Sequence, residues 1–293
     1  MCRLFGMTGG TREVQATFWL LDAPISFLLQ SESQPDGVGL GTFTADGQPS
    51  VWRKPVAAAR SETFIMGARE VRSRTILSHI RHASQGIASM ENTHPFEMNG
   101  RVMAHNGIVG GLEEIRSRLG PYAELVHGTT DSELWFALVT KHIEENGGDI
   151  GAGITAAARE FAAELPLYSL NMLLTTPTDL WALRYPESNE LWILENTLGG
   201  MHMDDGLETV RSATMRVQSG AFSFVPATVI ASEKMDSSPG WRMVESGELI
   251  HVDPDLQVTS TMAVTDPPAH MIDLDALSAE AAATQREERH SAG

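Results

Sequence analysis

Short runs of apolar and β-branched residues recur along the chain. They predict strands over Val38–Phe43, Thr75–Arg81, Arg101–His105, Leu170–Thr175, Leu180–Tyr185, Leu191–Glu195, Thr228–Ala231 and Leu249–Val252. Helical spacing appears between them. Leu112, Ile115 and Leu119 share one face of one segment, and Ile154, Ala158, Phe161 and Leu165 share a face of another. Thr130-Asp131-Ser132-Glu133 has the form of a capping box and Gly147-Gly148 of a stop, which delimits a further helix. Clustered strands with helices in a few blocks predict α+β layers rather than strict βαβ alternation. Beyond about Asp266 the pattern gives way to Pro267-Pro268, an alanine-rich stretch and Gln285-Arg286-Glu287-Glu288-Arg289. The expected organisation is one domain over residues 1–262 and a flexible C-terminal tail over 263–293.

Composition changes this picture mainly by exclusion. With 42% hydrophobic residues the chain has ample material for a core. Thirty-eight acidic against 21 basic side chains give a formal charge of −17, which repels phosphate backbones and anionic lipid, so neither nucleic acid nor membrane is an expected partner. The N-terminus lacks the apolar core of a signal peptide and no later apolar run is long enough to span a bilayer, so a cytoplasmic location is expected. Neither GxGxxG nor GxxxxGK[ST] occurs, so nucleotide binding has no support. Cys2 is the only cysteine, which leaves no disulfide, CxxC pair or cysteine-based zinc site. His79, His82, His94 and His105 do not have a zinc spacing, and neither metal nor cofactor is expected.

The position of Cys2 is chemically special. Removal of Met1 would place a thiol of pKa about 8.5 and an α-amine of pKa about 7.7–8.0 on one residue, and that amine titrates where a general base works best. Four local features can complete a site around it. In His79-Ile80-Arg81-His82-Ala83-Ser84-Gln85-Gly86 a guanidinium leaves a strand into a small polar loop, where it can fork onto a carboxylate. His105-Asn106-Gly107 can turn an amide and a main-chain N–H onto one oxygen, as a tetrahedral intermediate requires. Asp131 lies in the first turn of a capped helix and can hold an ammonium group. His94 in Asn92-Thr93-His94-Pro95-Phe96 reads as a structural histidine. Singly, these are an ion-paired arginine, an Asn-Gly turn and an ordinary helix start. Together they describe an α-amino acid with a side-chain amide: a carboxylate on Arg81, an ammonium on Asp131, and a scissile carbonyl at Asn106, Gly107 and Cys2.

The ordered set resembles the class II glutamine amidotransferases of the N-terminal nucleophile hydrolase group. It comprises Cys2-Arg3-Leu4-Phe5-Gly6, Gln34-Pro35-Asp36-Gly37-Val38-Gly39, the Arg81 loop, His94-Pro95-Phe96, His105-Asn106-Gly107 and Thr130-Asp131-Ser132-Glu133, with Ile230-Ala231-Ser232-Glu233 and Pro239-Gly240-Trp241 closing the domain. The resemblance implies an αββα sandwich of two antiparallel sheets between helical layers. It implies Cys2 as nucleophile with its own amine as base, and an oxyanion hole from Asn106 and Gly107. Arg81 and Ser84 would take the substrate α-carboxylate, and Gly107 and Asp131 its α-amino group. The sequence departs from the sugar-amidating members in carrying His82, Ser84 and Gln85 after the arginine, and looks closer to the stand-alone branch that includes the γ-glutamyl amide hydrolase of ergothioneine biosynthesis. The expected reaction is hydrolysis of glutamine or another γ-glutamyl amide through a Cys2 thioester. The alternatives are a glutaminase subunit or non-catalytic module serving a separate synthase, and an N-terminal cysteine acylase of the cholylglycine type.

Overall fold

The computed structural model describes residues 2–32, 34, 36–82, 89–198 and 225–276. The strands, in chain order, are β1 Arg3–Thr8, β2 Gly37–Phe43, β3 Pro49–Lys54, β4 Thr75–Arg81, β5 Phe96–Met98, β6 Arg101–Val109, β7 Leu167–Thr175, β8 Leu180–Leu183, β9 Trp192–Leu198, β10 Pro226–Ala231, β11 Arg242–Met243, β12 Glu248–Val252 and β13 Val258–Met262. The helices are α1 Phe27–Gln30, α2 Glu62–Glu70, α3 Leu112–Leu119, α4 Asp131–Glu145 and α5 Ile150–Glu164. One sheet runs β11-β9-β10-β1-β4-β2-β3 and the other β13-β12-β8-β7-β6-β5, with the strand pairs antiparallel.

Alternation along each strand assigns side chains to layers. In β1, Leu4 enters the cluster between the sheets with Leu77, Val102, Ala104, Leu173 and Ile250, whereas Phe5 and Met7 face the other way, onto Trp19, Phe27 and Phe64. In β6 and β7, Met103, Val109, Leu170, Met172 and Leu174 face Trp135, Phe136 and Phe161 of α4 and α5. The result is a four-layered αββα sandwich. Both faces of the central strands are covered, and for that reason they read as mostly apolar runs interrupted by a few polar residues rather than as alternating ones.

Thr130 caps α4 by accepting the Glu133 N–H at 3.2 Å, as the sequence pattern predicts. The reciprocal half of the box differs: the Glu133 carboxylate passes Thr130 and takes the N–H groups of His127 (2.9 Å) and Gly128 (2.6 Å). It thereby fastens the approach loop, which Asn92 holds from the other side through the Thr129 N–H at 2.9 Å. The helix stops where Gly147 and Gly148 adopt φ of 68° and 91°, the left-handed conformation a glycine tolerates.

The stretch expected to form a loose tail from residue 263 is described as far as 276. Ala263 and Val264 are buried, the Ala269 N–H donates to Ala162 at 2.8 Å, and Leu167 exchanges main-chain hydrogen bonds with His270 (3.0 Å) and Ile272 (2.8 Å).

β2 is small where the sheets meet the His94-Pro95 loop. A Cβ on Gly39 would lie 2.1 Å from the His94 carbonyl oxygen and 2.7 Å from Pro95 Cδ, a main-chain contact that no rotamer change relieves. Gly39→Ala is therefore expected to lower unfolding stability by about 1–3 kcal/mol. The measurement is the urea midpoint, and an unchanged midpoint would show that this loop gives way freely.

Candidate active site

The same alternation carries three candidate residues onto the face between the sheets at one end of the sandwich. Cys2 precedes the inward Leu4 by two, Arg81 follows the inward Leu77 by four, and Asn106 follows the inward Ala104 by two. The register sets Arg3 opposite Ile80, which brings Cys2 across from Arg81, and Gly37 flanks Arg81 from β2. Main chain completes the contact: the His82 N–H lies 3.3 Å from Cys2 Sγ, and the thiol lies 3.4 Å from the His82 carbonyl. Cys2 is half-buried. Burial pushes its thiol above the ordinary value, and the nearby Asp131 carboxylate adds to the rise; the His82 N–H and the Arg81 cation act in the opposite direction.

Arg81 is 4% exposed. Nearby, His79 and His94 pack with their rings tilted by 51° and 4.1 Å between centroids, and His94 meets Phe96 edge-on at 4.5 Å. Burial, with Arg81 adding to it, drives His79 down to about 3, and burial with the neighbouring rings drives His94 well below the usual histidine range. Both rings stay neutral beside the guanidinium, and His94 takes the structural place expected of it.

Asn106 lies in mid-strand in β6 rather than in a turn, opposite Asn171 of β7. It is 1% exposed, and neither Nδ2 nor Oδ1 finds a hydrogen-bond partner among the described residues. Burying such an amide costs free energy unless something else uses it. Gly107 follows, and a Cβ there would stand 1.9 Å from the Ser169 carbonyl oxygen, so this position excludes a side chain.

Asp131 sits at the start of α4 beside the outer edge of β6. Its Oδ2 accepts the Val109 N–H at 2.9 Å, and its Oδ1 accepts the Ser132 N–H at 2.8 Å and the Ser132 hydroxyl at 3.3 Å, which orients the carboxylate while Oδ2 keeps acceptor capacity. His105, on the helix side of β6, bonds Ser132 Oγ through Nδ1 (2.9 Å) and the Ser169 carbonyl through Nε2 (3.0 Å). Because a carbonyl only accepts, Nε2 carries the proton. The Ser132 and Ser169 contacts had no signal in the sequence, and His105 was visible only as the neighbour of Asn106. Ser84 lies outside the described residues. His82 follows the end of β4, where its main chain rather than its ring meets Cys2. Among the described residues no helix is long and apolar enough to cross a membrane.

Residues 1–272 match the family model for class II glutamine amidotransferases, and the chain belongs to that family. It is similar to a gamma-glutamyl-hercynylcysteine sulfoxide hydrolase of Mycobacterium tuberculosis, with 27% identity over 86% of this chain and 93% of the relative. It is also similar to the putative glutamine amidotransferase YafJ of Escherichia coli, with 28% identity over 73% of this chain and 80% of the relative. Some matches are partial: the alignment with the probable glutamine amidotransferase DUG3 of Saccharomyces cerevisiae spans 39% of this chain and 35% of that protein, at 26% identity. In fold the chain resembles the glutamine phosphoribosylpyrophosphate amidotransferase of B. subtilis, with TM-score 0.63 and 18% identity over 91% of this chain and 50% of that one.

Proposed function

We propose that the protein hydrolyses a γ-glutamyl amide to glutamate and ammonia or an amine through a thioester on Cys2. One observation carries the reading: a buried asparagine amide with no hydrogen-bond partner among the described residues faces the layer that holds the half-buried thiol. An oxyanion that exists only during the reaction would use that amide, and a donor fixed beforehand stabilises it without reorganisation. Removal of Met1 frees the α-amine of Cys2 to act as base. The thiolate attacks the γ-carbonyl, forming a C–S bond and an oxyanion held by Asn106 Nδ2 and the Gly107 N–H. Collapse expels the amine, which leaves with the proton. Water, deprotonated by the same α-amine, then attacks the thioester, and glutamate departs as the thiol is restored. Arg81, with Ser84, takes the substrate α-carboxylate; Asp131 and Gly107 take the α-ammonium.

The relatives named as gamma-glutamyl-hercynylcysteine sulfoxide hydrolases, matched over most of both chains, support a small γ-glutamyl metabolite as substrate. The test is intact mass before and after exposure to an electrophilic diazo-ketone analogue of glutamine. Loss of Met1 with one adduct on Cys2 is expected. A processed protein that takes no adduct and turns over neither glutamine nor a panel of γ-glutamyl amides would overturn the proposal.

A further inference from the structure

The peptide unit joining Asn106 to Gly107 is gripped from one side. The Asn106 carbonyl oxygen accepts from Ser169 Oγ at 3.1 Å and from Asn189 Nδ2 at 3.2 Å. Both donors are buried, at 0% and 1% exposure. The loop that presents Asn189 is itself anchored: its carbonyl accepts from Arg184 Nε (2.8 Å) and from Asn171 Nδ2 (3.1 Å).

The geometry tells which way Gly107 points. In β7 the Leu170 N–H turns towards β8, meeting Tyr185 at 2.7 Å, so Ser169 and Asn171 turn their main chain towards β6. The Asn106 carbonyl therefore faces β7. A planar trans peptide then sends the Gly107 N–H to the opposite edge of β6. β5 pairs with β6 only as far as Met103, and two residues beyond Gly107 the Val109 N–H on that edge meets Asp131.

We propose that Ser169 and Asn189 are positioning residues, which hold the Asn106 carbonyl and so aim the Gly107 N–H at the oxygen of a γ-glutamyl carbonyl. This rests on the proposed function. Hydrogen bonds weaken steeply as the donor angle closes, so releasing the carbonyl would let the peptide plane rock and the donor miss the developing charge.

The test uses the processed full-length protein with Ser169→Ala and Asn189→Ala. Each is expected to lower kcat about tenfold while KM stays within about twofold, a part of the loss of roughly 10²–10³ that removing a whole donor causes. Carboxamidomethylation of Cys2 by iodoacetamide, a displacement that forms no oxyanion, is expected to keep its wild-type rate. Normal kcat in both variants, or an equal loss in hydrolysis and alkylation, overturns the inference. Should Asn189→Ala fail to fold, Ser169→Ala, which removes a single oxygen, carries the same comparison. Wild-type protein that hydrolyses no γ-glutamyl amide would bring down the proposed function and this inference together. A working wild type with unaffected variants would bring down the inference alone.

Discussion

Cys2→Ala is expected to lose turnover by a factor on the order of 10⁵–10⁶, the scale seen when a covalent nucleophile is deleted, while its unfolding midpoint stays close to wild type. Cys2 is half-buried and its side chain meets main chain at His82, so little packing is at stake. The same site makes a statement about pH. Burial raises the thiol pKa, so the thiolate is scarce near neutrality and its fraction grows as pH rises through that raised value. In protein that retains Met1, the alkylation rate of Cys2 should therefore climb with pH to a midpoint above the ordinary value of about 8.5. A midpoint at or below that value, or residual thioester formation in Cys2→Ala, would refute the assignment.

Asn106→Ala is expected to lower kcat by roughly 10²–10³, the cost of one oxyanion donor, with KM changed only a few-fold. Its effect on stability is the sharper test. Truncating a buried residue ordinarily destabilises by leaving a cavity, but this side chain also buries an N–H2 and a carbonyl oxygen that have no hydrogen-bond partner among the described residues, and removing them relieves a desolvation cost. The two effects oppose each other, so the thermal midpoint should move little or rise. A residue kept for chemistry at the expense of stability behaves in this way. A large fall in the midpoint with kcat preserved would identify Asn106 as structural instead.

Legibility in the sequence followed burial. β4 and β7 stood out because both of their faces are covered and apolar or β-branched residues make up most of each. β1 was passed over: it opens on Arg3 and carries Gly6 in its interior, and only the fold reveals that the guanidinium pairs with Glu233 at 2.5 Å. β13, a Thr- and Ser-bearing edge strand open to solvent, has no hydrophobic pattern to read, and β5 and β11 are too short to show one. α2 escaped because Phe64 and Ala68 are its only fully buried side chains and Gly67 interrupts its helical composition.

The sequence by itself determined the chemistry on offer and its order: one thiol behind Met1, a guanidinium at a strand end, an Asn-Gly dipeptide and a carboxylate in a capped first turn. Those are local features, carried by residue type and short spacing. It did not determine the face on which Cys2 and Asn106 stand, because a period of two assigns a face only where a strand is recognised, and the readable strands began after Cys2 and stopped at His105. Only the tertiary structure decided that Asn106 sits in mid-strand with its amide unpartnered among the described residues, that main chain at His82 touches the sulfur 80 residues away, and that Ser169 and Asn189 grip a carbonyl 63 and 83 residues distant. Contacts of that separation depend on sheet order and register, and those are set by the packing of whole layers rather than by any run of residues near the site.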